Sequence, residues 1–173
     1  MKNVLVLVCG LPGSGKSFFS KKLCDKIHAT YINSDLLRKE LFPAKRTYSE
    51  EEKQVVYDTL LTRTESYLEN NQTVIIDATF YKNNLRIPFY KIAAMLQCSC
   101  VIFYLEANEI LTKERTSATR TDSEADFSVY LKLKKLFEPI DKPFLKLISE
   151  HDNIDALLTS ALTYLKKDGK ETD

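Results

Sequence analysis

The stretch NVLVLVCGLPGSGKSFF, which begins at Asn3, decides the fold. Residues 3–8 are a continuous run of leucine and β-branched residues, typical of a strand buried on both faces of a parallel sheet. Residues 10–17 then follow the spacing G-x-x-x-x-G-K-[ST]. Apolar residues at every fourth position from Phe19 predict a helix that begins at Ser17. A buried strand, a glycine-rich turn and a helix therefore follow one another as a phosphate-binding loop requires.

Each part of this loop has a role in holding a polyphosphate. The glycines let the backbone aim several N–H groups at one point, and the helix adds the positive end of its dipole. We expect Lys16 to reach the β- and γ-phosphates and the Ser17 hydroxyl to ligate Mg²⁺. ATP is the expected nucleotide because the sequence contains no guanine-reading N-K-x-D segment. The predicted nucleotide-binding residues are Gly10, Leu11, Pro12, Gly13, Ser14, Gly15, Lys16, Ser17 and Phe18.

Composition indicates an ordinary globular protein. The 173 residues are 44% hydrophobic and 28% charged, and 25 basic residues against 24 acidic ones leave a net charge of +1. We expect one domain over residues 1–167, a frayed tail over 168–173, and no strongly basic surface. Four cysteines are too few for a disulfide framework. No apolar run approaches the ~20 residues that span a bilayer, and an initial strand leaves no room for a signal peptide. These features predict a cytoplasmic protein without membrane contact.

Strands and helices alternate along the whole chain. Further strands are predicted at residues 30–33, 73–77, 99–105 and 144–148, with helices between them and a closing helix at 153–167. Ser34 or Asp35 is the expected cap of the helix at 36–41. Residues 49–52 form an S-x-x-E capping box at the start of a long helix. Such alternation predicts an α/β fold with a parallel sheet and right-handed crossovers.

Two carboxylates follow strands at the edge where a parallel sheet binds its ligands. A kinase needs a carboxylate to accept the proton of its acceptor hydroxyl, and Asp35 is the candidate; capping a helix is its alternative role. Asp77 ends the third strand and is the candidate residue that anchors Mg²⁺ through its bound water. No glutamate follows Asp77 to activate water, which favours transfer to a bound hydroxyl. An ATPase or a regulatory nucleotide-binding protein without an acceptor is the competing class.

Arginines are expected to meet the charge of the transferred phosphate. Arg38 lies one helical turn after Asp35 and on the same face, so it is suited to hold an anionic group of the substrate. Arg115 and Arg120 bracket a polar stretch of the kind that closes over phosphates. The alternative for all three residues is a solvated surface arginine.

Five segments of the chain, taken in sequence order, resemble those of the AAA_33-type P-loop kinases. They are GLPGSGKS, INSDLLRKELF, VIIDAT, the segment with Arg115 and Arg120, and LKKLFEPID. That group includes the kinase domain of phage-type 5′-hydroxyl polynucleotide kinase, with zeta-toxin and chloramphenicol phosphotransferase as distant relatives. The resemblance covers roughly residues 3–145. It implies a three-layer P-loop kinase fold whose central five-stranded parallel sheet has the order 2-3-1-4-5.

The resemblance also implies roles for individual residues. Asp35 matches the general base, and Arg38 matches the residue that holds the phosphate next to the acceptor hydroxyl. Arg115 or Arg120 matches the lid arginine that contacts the ATP phosphates. Phe18 departs from the pattern because many such kinases have threonine there.

The acceptor itself is not specified by the sequence. A nucleic-acid 5′-hydroxyl, a small anionic metabolite, a sugar or antibiotic hydroxyl and a nucleotide-sugar all stay open. Between residues 35 and 53, five basic residues are balanced by five acidic ones. A groove for a polyanion is expected to be basic, so composition does not favour nucleic acid. The oligomeric state is not indicated.

Overall fold

A computed structural model describes residues 3–117 and 125–168 of the chain. Its sheet has five parallel strands in the order β2-β3-β1-β4-β5, which confirms the predicted fold and strand order. Arg120 and the tail over residues 169–173 lie outside the described residues. The strands are β1 Val4–Cys9, β2 Thr30–Asn33, β3 Val74–Asp77, β4 Ser99–Glu106 and β5 Leu145–Ile148.

Helices cover both faces of the sheet because its central strands are apolar on both sides. Leu5 and Leu7 of β1 lie in the core on one face, whereas Val6 and Val8 lie in the core on the other. The first core is completed by α3 and α4, and the second by α1 and α7. The helices are α1 Lys16–Ile27, α2 Ser34–Leu41, α3 Glu50–Glu69, α4 Asn83–Met95, α5 Glu109–Ser117, α6 Phe127–Leu136 and α7 Ile154–Asp168.

The cap of α2 differs from the prediction. Asn33, the last residue of β2, accepts a hydrogen bond from the Leu36 amide at 2.8 Å, so neither Ser34 nor Asp35 caps the helix. The reason is that β2 runs into α2 without a linker, and Asn33 keeps the extended backbone of a cap residue (φ −120°, ψ 130°). Asp35 therefore lies in the first turn of α2, and the cap alternative for this residue is wrong.

The capping box of α3 is only half formed. Ser49 accepts a hydrogen bond from the Glu52 amide at 3.2 Å, as the motif requires. The Glu52 carboxylate instead accepts hydrogen bonds from Thr47, Tyr48 and Arg38. The carboxylate of Glu52 therefore binds Arg38 and the segment before α3 instead of the helix terminus.

The other predicted elements are present with small shifts of their ends. The helix after the glycine-rich loop begins at Lys16, one residue earlier than predicted. All four cysteines are free thiols. No helix among the described residues is long and apolar enough to cross a membrane. The division into a domain over residues 1–167 and a tail stays a prediction.

Candidate active site

The glycine-rich loop connects β1 to α1 and approaches its neighbours closely. Gly13 and Gly15 have φ angles of 80° and 87°, in the left-handed region that favours glycine. A Cβ atom on Gly13 would lie 2.9 Å from the Thr112 Cγ2 atom, and one on Gly15 would lie 2.8 Å from the Ser149 Oγ atom. Both glycines are therefore required by backbone conformation and by space.

The N-terminus of α1 faces this loop without a side-chain cap from the described residues. The first hydrogen bond within the helix joins the Phe19 amide to the Gly15 carbonyl at 3.1 Å. The amides of Lys16, Ser17 and Phe18 precede it, and amides at this position have no partner within their own helix. This arrangement is suited to bind the oxygens of a phosphate.

A cavity of about 360 Å³ lies beside the loop. Lys16 and Ser17 form one wall, and the segment after β5 forms the opposite wall. Phe18 lines the same cavity and is 58% exposed, so its aromatic ring faces the cavity at the first turn of α1. The lining residues are Gly13, Gly15, Lys16, Ser17, Phe18, Phe19, Arg115, Ser149, Glu150, His151, Asn153, Ile154 and Leu157.

Arg115 connects the two walls of this nucleotide-sized cavity. Its Nη1 atom donates to the Gly13 carbonyl at 3.3 Å and to the Ser149 hydroxyl at 2.9 Å. Its Nη2 atom donates to the Glu150 carbonyl at 2.8 Å. Burial lowers the pKa of Arg115. Arg115 is half-buried and held by three hydrogen bonds, so it is not freely solvated, whereas its role as the lid arginine stays a prediction. Arg120, the other candidate lid arginine, lies outside the described residues.

A second cavity, of about 420 Å³, meets the first at Lys16. It lies between α2, α3 and α6, and the structure brings the predicted Lys16, Asp35 and Arg38 together in its wall. Sequence reasoning did not identify most of the remaining lining. The other lining residues are Pro12, Ser34, Tyr48, Glu50, Lys53, Tyr57, Thr79, Tyr81, Lys82, Ala125, Val129, Lys132, Leu133 and Leu136.

Arg38 is buried in this wall and paired with a carboxylate. Its Nη1 atom lies 2.5 Å from the Glu52 Oε1 atom, and the side chains are 8% and 4% exposed. The Tyr48 ring covers the guanidinium, with 4.8 Å between the Arg38 Cζ atom and the ring centroid. The alternative of a solvated arginine is therefore wrong, and the charge of Arg38 is compensated by Glu52.

Glu52 accepts hydrogen bonds from the segment between α2 and α3. Its Oε2 atom accepts from the Thr47 amide at 2.6 Å, the Thr47 hydroxyl at 2.8 Å and the Tyr48 amide at 3.2 Å. Desolvation opposes ionisation, but the hydrogen bonds from Thr47 and Arg38 outweigh it and lower the pKa of Glu52 to about 2. The burial of Glu52 could have been inferred from its spacing, because Glu52 precedes the core residues Val56 and Leu60 at intervals of four.

Asp77 is fully buried at the end of β3, opposite Val8 of β1. Its Oδ2 atom accepts from the Tyr31 hydroxyl at 2.8 Å and from the side-chain Nδ2 atom of Asn33 at 2.5 Å. Its Oδ1 atom has no hydrogen-bond partner among the described residues. A water molecule bound to Mg²⁺ would satisfy such an oxygen, so this side chain fits the predicted role of holding water around the ion.

No group of three or more His, Cys, Asp or Glu side chains that could hold a metal ion occurs within residues 3–117 and 125–168. Mg²⁺ in phosphoryl-transfer sites is held by one or two protein groups together with phosphates and water. The Ser17 hydroxyl beside the glycine-rich loop and the Asp77 carboxylate at the end of β3 are compatible with that kind of site.

The motif LKKLFEPID closes the second cavity from the side of α6. Arg86, fully buried on α4, donates to the carbonyls of Phe80, Glu138 and Pro139 and to the Asn83 side chain. Sequence reasoning missed Arg86, although its spacing to Phe89 and Ala93 places it on the apolar face of the helix. The motif thus anchors α6 against the start of α4.

The fold and the loop define a kinase-like P-loop nucleotide-binding domain. Residues 5–140 match the AAA domain family designated AAA_33. The chain belongs to this family, which confirms the resemblance given by its motifs; the particular likeness to phage polynucleotide kinase stays a prediction.

One of the known proteins that are similar over most of the chain is a kinase that acts on a seryl-tRNA, as its name states. The L-seryl-tRNA(Sec) kinase of Methanococcus maripaludis is 30% identical over an alignment of 169 residues that covers 93% of this chain and 62% of that protein. The chain therefore spans less than two thirds of that relative.

Two solved structures share the fold. The APS kinase CysC of Mycobacterium tuberculosis, in complex with AMPPNP and APS, has a TM-score of 0.72 at 17% identity, covering 95% of this chain and 98% of its own. A gluconokinase from Sinorhizobium meliloti has a TM-score of 0.70 at 16% identity, covering 94% and 91%.

Proposed function

We propose that this protein transfers the γ-phosphate of Mg·ATP to a hydroxyl group of an acceptor bound in the second cavity. One observation carries the proposal: Lys16 lines both cavities. A phosphate at Lys16 would therefore face the nucleotide on one side and the acceptor, with Asp35, on the other. The membership in a kinase-like P-loop family supports the same reaction type.

The loop residues from Gly10 to Phe18 hold the polyphosphate in this proposal. Their backbone amides and the Lys16 ammonium face the charge that develops on the transferred phosphoryl group. The Ser17 hydroxyl would hold Mg²⁺, and the Asp77 carboxylate would orient water around the ion. Bound Mg²⁺ supplies charge neutralisation at the β- and γ-phosphates.

Asp35 is the proposed general base. It is half-buried in the first turn of α2 and lines the acceptor cavity. The acceptor hydroxyl gives its proton to the Asp35 carboxylate while its oxygen forms a bond to the γ-phosphorus. The bond from that phosphorus to the bridging oxygen breaks, and ADP leaves. Arg115 holds the nucleotide side of the loop in place during this step.

Two features favour a phosphorylated or nucleic-acid-linked acceptor over a neutral sugar. The relative from Methanococcus maripaludis is an L-seryl-tRNA(Sec) kinase, and the acceptor cavity of this chain has several lysines in its lining. A cavity of about 420 Å³ lies within the ~300–1,000 Å³ range of small-ligand sites.

The proposal is tested by measuring ADP release with and without a panel of hydroxyl compounds. The panel contains sugars, sugar phosphates, nucleosides, seryl-tRNA and oligonucleotides with a 5′-hydroxyl. We expect at least one acceptor to stimulate ADP release and to gain a phosphate detectable by mass spectrometry.

Lys16→Ala should abolish this transfer, because its side chain is the one that both cavities share. Lys26→Ala is the matched control, since Lys26 is an exposed residue in the last turn of the same helix. Basal ATP hydrolysis that no acceptor stimulates would support the competing ATPase instead.

A further inference from the structure

We propose that Lys53, Lys82 and Lys132 form an anion site that holds a phosphate group of the acceptor. This inference rests on the proposed function and specifies the chemical class of its substrate. The acceptor would carry its reactive hydroxyl at Asp35 and a phosphate at the three lysines. We use the name lysine cluster for these three residues.

The lysine cluster is assembled from three separate elements around one cavity. Lys53 lies in α3, Lys82 is the residue before α4, and Lys132 lies in α6. All three line the cavity that also contains Asp35. Three ammonium groups that line one concave cavity repel one another, and an anion bound among them would relieve that repulsion.

Tyr81 and Glu50 organise two members of the lysine cluster. The Lys53 Nζ atom donates to the Tyr81 hydroxyl and to the Glu50 carboxylate, each at 2.7 Å. The Lys82 Nζ atom lies 5.5 Å from the centre of the Tyr81 ring. Among the described residues, neither Lys82 nor Lys132 forms a salt bridge.

The carboxylate of Glu50 is the group at the cluster that opposes an anion. A hydrogen bond from Lys53 lowers the pKa of Glu50, and the charges of Lys82 and Lys132 lower it further. Glu50 is 75% exposed, so water screens its charge. Three ammonium groups against this one carboxylate leave a net positive charge at the rim.

Arg38, the residue expected to hold the acceptor anion, is committed elsewhere. Its guanidinium lies against the Glu52 carboxylate on one side and the Tyr48 ring on its face. A phosphate would have to compete with a buried carboxylate at 2.5 Å. The lysine cluster requires no such displacement apart from the exposed Glu50, so it is the better site for the anion.

The remaining lining of the cavity fits the carbon skeleton of a phosphate ester. Val129, Leu133 and Leu136 of α6 contribute apolar lining, and Tyr48 and Tyr57 add aromatic lining. A free inorganic anion would leave this surface in water. A small phosphate ester and the phosphate-bearing end of a nucleic acid share the chemistry that the cavity recognises.

The test measures binding to the intact protein with saturating Mg·AMPPNP, which occupies the loop and prevents transfer. Ribose phosphate and a short RNA with a 5′-hydroxyl are titrated by calorimetry, and ribose is the neutral comparison. We expect both phosphate-bearing probes to bind more tightly than ribose. The RNA should show the steeper salt dependence if it is the natural source, because it contacts more cations.

Two variants then locate the site. Lys82→Ala combined with Lys132→Ala should weaken binding of the phosphate probes at least about tenfold, because two charge-assisted contacts are lost. Lys135→Ala, an exposed lysine of α6 outside the cavity, should leave binding unchanged. Glu50→Gln should strengthen binding a few-fold by removing the opposing charge.

The outcomes separate this site from the transfer reaction. Loss of probe binding in the double variant supports the anion site even when no acceptor stimulates ADP release. Equal binding of ribose and ribose phosphate, or unchanged binding in the double variant, overturns the anion site even when a kinase reaction is found.

Discussion

At the residue scale, the proposed general-base role of Asp35 can be tested without disturbing a helix cap. Asn33 caps α2, so replacing Asp35 leaves the cap intact. Asp35→Asn should lower the rate of phosphoryl transfer roughly 10²–10⁴-fold, the usual value of general-base catalysis. ATP affinity should be retained, because Asp35 lines the acceptor cavity and not the nucleotide cavity.

The measurement determines kcat and the nucleotide dissociation constant of Asp35→Asn and compares each with the wild-type value. Asp25→Asn, an exposed aspartate of α1, serves as the control for the substitution itself. Turnover close to that of the wild type would remove the general-base role, whereas loss of ATP binding would point to a damaged loop.

Arg115 allows a second prediction at the same scale. It donates three hydrogen bonds that join Gly13 to Ser149 and Glu150. Arg115→Ala should weaken ATP binding by about tenfold, equivalent to the loss of about 1.4 kcal/mol, because the loop and the opposite wall are no longer connected.

Titration of the nucleotide by calorimetry checks this expectation, with Arg63→Ala as the matched control. Arg63 is an α3 residue whose guanidinium pairs with Glu40 at the surface. The KM for the acceptor should change little in Arg115→Ala. A change confined to the acceptor KM would mean that Arg115 acts on the other cavity.

At the scale of elements, Glu52 fixes the connection between α2 and α3. The pair with Arg38 is buried, and breaking a buried pair by removing one partner costs about 3–5 kcal/mol. Glu52→Gln should therefore lower the free energy of unfolding by about 3 kcal/mol. Urea denaturation measures this change, and Glu51→Gln, at the exposed neighbouring position, should change it by less than about 0.5 kcal/mol.

The same carboxylate predicts how stability depends on pH. The pKa of Glu52 is lowered from 4.5 to about 2 in the folded chain, so the unfolded state binds the proton more tightly. The stabilisation is fully present above pH 4.5 and is lost as pH falls toward 2. The difference in urea midpoint between the wild type and Glu52→Gln should therefore narrow below pH 4.5. A gap that stays constant down to pH 2 would contradict this assignment.

At the scale of the whole molecule, Arg86 joins parts of the chain that are distant in sequence. It is fully buried and donates to the Phe80 carbonyl, which precedes α4, and to the Glu138 and Pro139 carbonyls, which follow α6. Arg86→Leu should destabilise the protein by about 3 kcal/mol, because several buried carbonyl groups lose their donor at once.

Urea denaturation again gives the stability, and nucleotide titration gives a second readout. Arg86 lines neither cavity, so ATP binding should persist in Arg86→Leu at temperatures where the protein stays folded, while acceptor binding weakens as α6 loosens. Lys91→Leu, at an exposed position of the same helix, is the control. An unchanged urea midpoint in Arg86→Leu would show that this connection does not stabilise the fold.

The sequence by itself determined the parallel sheet and the phosphate-binding loop. These features depend on short-range patterns: apolar runs for strands, spacing of three and four for helices, and glycines where the backbone turns. The motif order supplied the strand order through resemblance. The same patterns placed Lys16, Asp35 and Asp77 at one edge, because the carboxyl ends of parallel strands meet there.

Only the tertiary structure decided which charges face one another. Equal numbers of acidic and basic residues between positions 35 and 53 did not predict a basic cavity. Two of its lysines, Lys82 and Lys132, lie far away in sequence, in the β3–α4 connection and in α6. In the same way, Glu52 neutralises Arg38 across two helices, and Arg115 reaches the segment after β5. Electrostatic interactions depend on distance in space, and packing of separate elements sets that distance.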